Sequence, residues 1–300
     1  MLVTTDENVI VQGLTGRQGS FWAGRMAECG TRIVAGASPG KGGREVDGVP
    51  VYDSVTDAAR RHRLDISVLF VPPLSVRAAA ADAVRAGVRK LVLLTEHVPY
   101  QDVMHVLAEA RDHGMKVLGP NTAGLVVPGV ASVGIMPGFA GNIFRPGSVG
   151  VISRSGSLGT LVAMSLVTSG YGQSAFIGIG GDPLLGTTTL DALRELDRDP
   201  RTEAVVLVGE IGGTMEEDAA AYLSDMAKPV VAFIAGRSAP PDRRMGHAGA
   251  IVSAGRGSGE SKVAALRAAG ATVVDLPSQV GAALRERGVT TSPPPPARRP

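Results

Sequence analysis

Short, almost continuously apolar runs rich in β-branched residues recur along the chain, and each is followed by an alanine-rich stretch with helical spacing. In the first half the runs are Val9–Gln12, Arg32–Ala35, Ile66–Val71, Lys90–Leu94 and Lys116–Leu118. The helical stretches between them are Gln18–Cys29, Val55–Arg61, Ser75–Ala86 and Val103–His113. A strand with one face in water alternates apolar and polar residues, whereas one covered on both faces does not, and such strands belong to parallel sheets. The pattern therefore predicts an α/β protein built from βαβαβ units. Gly30, Gly87 and Gly114 stand where three of the helices need a C-cap.

Residues 120–147 break the rhythm with Pro120, Pro128, Pro137, Pro146 and many glycines, and read as a linker or a long ordered connection. A second series follows, with strands near Ser148–Ile152, Ser174–Ile177, Ala204–Val208, Val230–Ile234 and Thr272–Val274. Its helices fall near Ser157–Ser169, Leu190–Asp197, Glu216–Asp225, Gly259–Ala269 and Ser278–Arg287. The predicted organisation is a first domain over 1–122, a Pro/Gly-rich connection over 123–147, a second domain over 148–288 and a disordered Pro-rich tail over 289–300. A chain of 300 residues has room for two domains of about 150 residues each.

Composition narrows the function. Lys and Arg exceed Asp and Glu by only 2, and aromatics are 4% of the chain, so neither a polyanion-binding charge nor a base-stacking platform is present. No nucleic-acid partner is expected. The single cysteine, Cys29, leaves no disulfide framework and no thiolate metal site. No apolar run approaches the roughly 18 residues of a membrane span, and the polar, acidic start at Met1–Asn8 does not read as a secretory signal. A soluble, cytoplasmic protein with no membrane partner is expected.

Two constellations carry chemistry. The first strand runs into Gly13-Leu-Thr-Gly16-Arg-Gln-Gly19 and then a helix. A glycine turn between strand and helix lets backbone approach a phosphate at the helix N-terminus. The spacing GxxGxxG is not the dinucleotide pattern, and no acidic residue about 20 positions on awaits a ribose. The second strand instead ends in Gly36-Ala-Ser-Pro-Gly40-Lys41-Gly-Gly43, and a lysine among glycines suits a phosphate. Two tight turns without a ligand are the plain alternative.

The second constellation sits on loops that follow strands of the second half: Ser153–Ser157, Gly178–Asp182, Glu210–Gly213 and Gly236–Ala250. In a parallel sheet these share the carboxyl end, so Ser155, Glu210 and His247 can converge. Glu210 could hold one ring nitrogen of His247 and leave the other as a nucleophile. The amides of Ser155, Gly156 and Ser157 open a helix and offer a phosphate cradle. The order Ser155, Glu210, His247 also fits a serine acyl hydrolase, although Ser153 replaces the first glycine of its G-x-S-x-G elbow. A structural or surface histidine is the plain alternative. His62, His105 and His113 lie in helical patterns, and His97 adjoins a loop carboxylate.

Over residues 5–288 the chain resembles the alpha subunit of succinyl-CoA synthetase (succinate–CoA ligase). The stretches that carry the resemblance are QGLTGRQGSF, ASPGKGG, LLTEHVP, GPN, PGSVGVISRSGSL, GYGQS, IGIGGDP, DPRTEAVVLVGEIGG, KPVVAFIAG and RMGHAGAI. The resemblance implies an N-terminal Rossmann-like CoA-binding domain and a flavodoxin-like ligase domain. It implies that His247 carries a phosphoryl group, that Glu210 orients it, and that Thr15, Gly16, Arg17, Gln18, Lys41, Leu94, Thr95 and Glu96 contact CoA. It also implies a place in the tricarboxylic acid cycle, an ATP-grasp beta subunit as partner in a heterodimer or heterotetramer, and Mg²⁺ with ATP or GTP bound there. In the family reaction the histidine passes its phosphoryl group to a carboxylate, and the CoA thiol then displaces phosphate.

The chain departs from the family at two places. GPNCPG reads Gly119-Pro-Asn-Thr-Ala-Gly124, and SRSGTLTYE reads Ser153-Arg-Ser-Gly-Ser-Leu-Gly-Thr160-Leu161. Thr160 thus stands where the family has a tyrosine associated with the carboxylate substrate. The expected function is an NDP-forming acid–CoA ligase alpha subunit. The alternatives are a paralogue for another, malate-like dicarboxylate, a non-catalytic CoA-binding regulator, and the serine hydrolase.

Overall fold

A computed structural model describes residues 1–237, 247, 249–250 and 257–291. They form two compact units, the first made of residues 1–126, 130–139 and 184–187 and the second of 127–129, 140–183 and 188 onward.

The first unit contains the strands β1 (Asn8–Gln12), β2 (Arg32–Ala37), β3 (Glu45–Val46), β4 (Val49–Tyr52), β5 (Ile66–Leu69), β6 (Lys90–Leu93) and β7 (Lys116–Leu118). Helices α1 (Arg17–Glu28), α2 (Val55–Ala59), α3 (Val76–Arg85) and α4 (Tyr100–Asp112) connect them. The sheet order is β3-β4-β2-β1-β5-β6-β7, parallel except for the β3–β4 pair. All five residues of β1 are buried, as an apolar run covered on both faces requires. The core is aliphatic: Ile10, Leu69, Leu91 and Leu93 have no exposed surface.

The segment read as a connection contains two further strands, β8 (Gly124–Val127) and β9 (Ala131–Gly134). They are fastened to the first unit from within: Thr31 Oγ1 donates to Ser132 O (2.6 Å) and accepts from Ser132 N (3.0 Å). Residues 184–187 also belong to this unit, because Gly186 N donates to Gly119 O (2.9 Å) and Thr187 Oγ1 to Val117 O (2.6 Å). The prolines end helical character but leave extended pairing intact.

The second unit holds β10 (Pro146–Ser153), β11 (Gln173–Gly178), β12 (Ala204–Glu210), β13 (Val230–Ala235) and β14 (Thr272–Val274). Their order is β14-β13-β12-β10-β11, all parallel. The helices are α5 (Gly156–Thr168), α6 (Thr189–Arg198), α7 (Met215–Leu223), α8 (Gly259–Ala268) and α9 (Val280–Glu286). Every residue of β11 and β12 is buried. Val289, assigned above to the tail, is buried, and its carbonyl accepts from Tyr171 Oη at 3.1 Å. Residues 292–300 of the tail lie outside the described residues.

Candidate functional site

Each unit has a point where the strand order reverses. In the first unit β1 lies between β2 and β5, and in the second β10 lies between β11 and β12. Loops leaving the carboxyl end of such a strand diverge and open a crevice.

At the first switch point Gly13 follows β1 with φ +84°, and a Cβ there would lie 2.3 Å from Phe70 O. A Cβ on Gly19 would lie 2.2 Å from Gly13 O, so α1 packs directly on the turn. The helix begins behind Gly16, which supplies no side-chain cap, and its first turn has no acidic residue. Its first amides and the positive end of its dipole are therefore available to an anion. A cavity of about 630 Å³ opens here, lined among others by Gly13, Thr15, Ser38, Lys41 and Phe70. Ser38 accepts from Thr15 Oγ1 at 3.1 Å, and Gly42 N donates to Asp53 Oδ1 at 2.9 Å, so both glycine-bearing loops are pinned.

Of the residues expected to contact CoA, Thr15 and Lys41 line this cavity. Gly16, Arg17 and Gln18 are exposed at the start of α1, where the Gln18 amide oxygen accepts from Trp22 Nε1 at 3.2 Å. Leu94, Thr95 and Glu96 follow β6 and do not line the cavity; Thr95 Oγ1 donates to Val71 O at 2.9 Å and Glu96 is exposed. Ser38 and Asp53 were not singled out in sequence. Ser38 stands within the glycine-rich ASPGKGG stretch, which was its only signal.

At the second switch point β10 ends in Ser153, and Arg154 and Ser155 lead into α5. Ser155 is the N-cap: its Oγ accepts from Leu158 N at 3.4 Å and lies 3.2 Å from Ser157 Oγ. That hydroxyl serves the helix start, and among the described residues no hydrogen bond joins it to His247. Glu210 closes β12, and its Oε2 and Oε1 lie 2.8 and 2.9 Å from His247 Nδ1. A carboxylate only accepts, so Nδ1 carries a proton, and the lone pair of the neutral ring is then on Nε2. The hydrogen bond to Glu210 raises the His247 pKa above the usual 6.5; burial and Arg154 lower it, and Asp182 raises it. Gly181 leaves room for the ring, since a Cβ there would sit 2.5 Å from His247 Cγ and Nδ1. A cavity of about 230 Å³ is lined by Ser155, Ser157, Glu210 and His247, among others. Gly156 is the first residue of α5, and Thr160 lies one turn on, outside the cavity lining, its Oγ1 donating to Gly156 O at 2.8 Å.

A buried charge cluster backs this site. Arg154 Nη2 lies 3.5 Å from Glu210 Oε1, and Arg154 Nη1 lies 3.8 Å from Glu216 Oε1 and donates to Gly212 O at 2.9 Å. Lys262 Nζ donates to Gly212 O at 2.8 Å and to Glu216 Oε2. Sequence reading did not single out Glu216, Lys262 or the role of Arg154.

Residues 4–97 match the family model described as the CoA binding domain, and residues 152–272 match the one described as CoA-ligase. The chain is 47% identical over 280 residues to the succinate–CoA ligase [ADP-forming] subunit alpha of Methanothermobacter thermautotrophicus, covering 93% of this chain and 94% of that one. It is 42% identical to the ADP-forming sulfoacetate-CoA ligase subunit SqwL of an Acholeplasma species, covering 97% and 99%. ATP citrate lyase from Methanothrix soehngenii, solved with citrate and coenzyme A, superposes with TM-score 0.88 at 24% identity. This chain is wholly covered there but spans about half of the lyase chain, 53% of it. Fold and domain order together define the class, an NDP-forming acid–CoA ligase alpha subunit. Within that class the chain belongs to the succinate–CoA ligase alpha-subunit family. Among the described residues no helix is long and apolar enough to cross a membrane.

Proposed function

We propose that this chain relays a phosphoryl group through His247 to a carboxylic acid in the cytoplasm, as one half of a ligase whose other half is an ATP-grasp beta subunit. The observation that carries the proposal is the bond between Glu210 and His247 Nδ1 beside the Ser155–Ser157 helix start. It fixes the proton of the neutral imidazole on Nδ1, so that the reacting form has its lone pair on Nε2. That nitrogen attacks the terminal phosphorus of ATP or GTP held with Mg²⁺ by the partner; the N–P bond forms as the P–O bond breaks, and NDP leaves. The amides of Ser155, Gly156 and Ser157, at the positive end of α5, receive the phosphoryl oxygens. The phosphoryl group then passes to the acid's carboxylate, and the CoA thiolate displaces phosphate from the acyl phosphate.

CoA enters at the first switch point. Its phosphates suit the uncapped start of α1 and Lys41, and the 630 Å³ crevice gives the nucleotide end room. The domains act as 1–122 for CoA and 148–288 for the ligase step. Thr160 takes the position next to the acid. Succinate and another short dicarboxylate are both accommodated by this reading.

Incubation with the beta subunit, Mg²⁺ and NTP should give an acid-labile, base-stable phosphoryl adduct on this chain, and His247→Ala should abolish it. An adduct that survives that substitution overturns the assignment. A covalent acyl adduct on Ser155 would establish the hydrolase instead.

A further inference from the structure

The least expected feature of the second unit is a fully buried lysine. Lys262 and Glu216 have no exposed surface, and Arg154 and Glu210 are 3% and 7% exposed. Burial lowers the Lys262 pKa, and Glu216 opposes that. Replacing a buried ion pair with apolar residues of similar volume is often neutral or stabilising, so such a pair contributes little to stability for its cost. Its location therefore calls for another account. The four charges, Lys262, Glu216, Arg154 and Glu210, run in one line from α8 to His247.

We infer that Lys262 and Glu216 are positioning residues for the histidine: Lys262 occupies Glu216, which leaves Arg154 to share the Glu210 carboxylate with His247, so that Glu210 orients the imidazole without keeping it protonated. The inference rests on His247 being the phosphoryl carrier. A nucleophilic imidazole has two requirements that conflict. It needs a carboxylate on Nδ1 to fix its tautomer and direction. It must also lose the proton from Nε2 near neutrality, and an unopposed buried carboxylate favours the imidazolium, which has no lone pair.

Among the described residues, the charged groups that face His247 are Glu210 and Asp182, which raise its proton affinity, and Arg154, which lowers it together with burial. Arg154 can temper Glu210 only while it stays beside it. Glu216 competes for the same guanidinium from 3.8 Å, and its Oε1 already accepts from Glu210 N at 3.2 Å. Lys262 answers that competition by pairing with Glu216 Oε2 and sharing the Gly212 carbonyl with Arg154. Two cations and two anions then balance. Removing either outer charge unbalances the line in opposite senses.

That sign reversal is the test. The full-length chain, in complex with its beta subunit and labelled on histidine, is titrated by NMR, with His247 assigned by the signal lost in His247→Ala. The pH profile of phosphoryl transfer is measured alongside. In Lys262→Met, Arg154 is drawn to Glu216 and Glu210 acts on His247 alone. The His247 midpoint moves up, and the acidic limb of the rate profile moves with it. Transfer near neutrality falls on the order of tenfold for each pH unit by which the midpoint rises above the working pH, because only the neutral ring attacks, and it returns at higher pH. In Glu216→Gln both cations face Glu210, and the midpoint moves down. The double variant Lys262→Met/Glu216→Gln returns toward wild type. Shifts of the same sign in the two single variants, or no shift in either, overturn the inference. Should Lys262→Met fail to fold, Glu216→Gln decides alone: a downward shift supports the inference, and an upward or absent one overturns it. A wild-type chain that forms no acid-labile adduct on His247 would instead remove the carrier reading itself.

Discussion

In the first unit the strand at the switch point, β1, runs into Gly13, and the crevice is lined by glycine-rich backbone, by hydroxyls such as those of Thr15 and Ser38, and by charged side chains, Lys41, Asp53, Asp82 and Arg85, that are exposed or partly exposed. In the second unit the equivalent strand, β10, ends in Ser153 with Arg154 next along the chain, and the crevice is backed by charged side chains almost wholly out of water. The topology is the same and the material is different. Backbone amides at a helix start suit a ligand that arrives already charged and leaves unchanged in charge, because they bind phosphate without needing to titrate. A histidine that must accept and release a phosphoryl group needs its proton affinity set, and burial together with charged, hydrogen-bonded side chains within about 4 Å does that. The Gly-rich site is therefore limited by backbone space and the charged site by side-chain placement.

That contrast is broken most sharply by adding one methyl group to each site. Gly181→Ala should reduce phosphoryl transfer on the order of a hundredfold or more, because the new Cβ would lie 2.5 Å from the His247 ring and displace it. Gly181 is not among the glycines with positive φ, so its backbone tolerates alanine. CoA affinity, measured by calorimetry, should be unchanged. Loss of CoA binding in this variant would show that the two sites are not separable.

Gly13→Ala should do the converse, and with a cost in folding. At φ +84°, with the new Cβ only 2.3 Å from Phe70 O, strain on the order of 1–3 kcal/mol is expected. A lower melting temperature together with weakened CoA binding is the expected result. Unaltered thermal unfolding would mean that the turn relaxes without cost.

How much of this was legible in the sequence differs between the units for a physical reason. Buried parallel strands announce themselves by composition, and all ten of the apolar runs coincide with strands. The pair β3 and β4 was missed because Glu45–Val46 and Val49–Tyr52 are short strands at the edge end of the sheet, the second carrying Pro50. Their signal was the turn: Asp47 (φ 49°) and Gly48 (φ 80°) form the Asp-Gly pair that closes a tight hairpin. The strands β8 and β9 hid behind Pro128 and Gly129. Glu210 and His247 were legible as a pair because loops at the carboxyl ends of parallel strands converge. The charges behind them were not, since ion pairing across helices leaves no spacing rule. A sign of them was nevertheless present. The buried faces are Glu216, Ala219, Ala220, Leu223 on α7 and Gly259, Lys262, Val263, Leu266 on α8, so a charge of opposite sign occupies the apolar stripe of each helix.

A smaller effect tests the backbone site. Lys41 lines the first crevice but is exposed, so water screens it. Lys41→Ala should weaken CoA binding by about 1.5–3 kcal/mol if the lysine makes a charge-assisted phosphate contact. Dephospho-CoA should lose less than CoA if the contact is with the 3′-phosphate. Equal affinities of wild type and variant for both ligands would return Lys41 to the role of a solvated turn residue, leaving the amides of α1 to do the binding.

The smallest effect concerns the acid, where neither glycine nor buried charge decides. The resemblance implies that Thr160 replaces a family tyrosine, and its hydroxyl donates to Gly156 O at 2.8 Å, so that proton is not offered to a substrate. The neighbouring Leu161 is 47% exposed. This end of α5 offers volume and an apolar side chain where the resemblance implies a ring and a carboxylate in the family. Volume alone discriminates weakly, by about 10–200-fold per methylene, whereas a site that must satisfy a substrate hydroxyl discriminates far more. The expectation is a modest preference: kcat/KM for succinate below that for at least one other short acid in a panel that includes malate and sulfoacetate. Thr160→Tyr should move the ratio toward succinate by about tenfold. A chain that already prefers succinate over the whole panel, with a ratio that Thr160→Tyr leaves alone, would show that the acid is selected away from α5, by groups the ligase acquires only with its beta subunit.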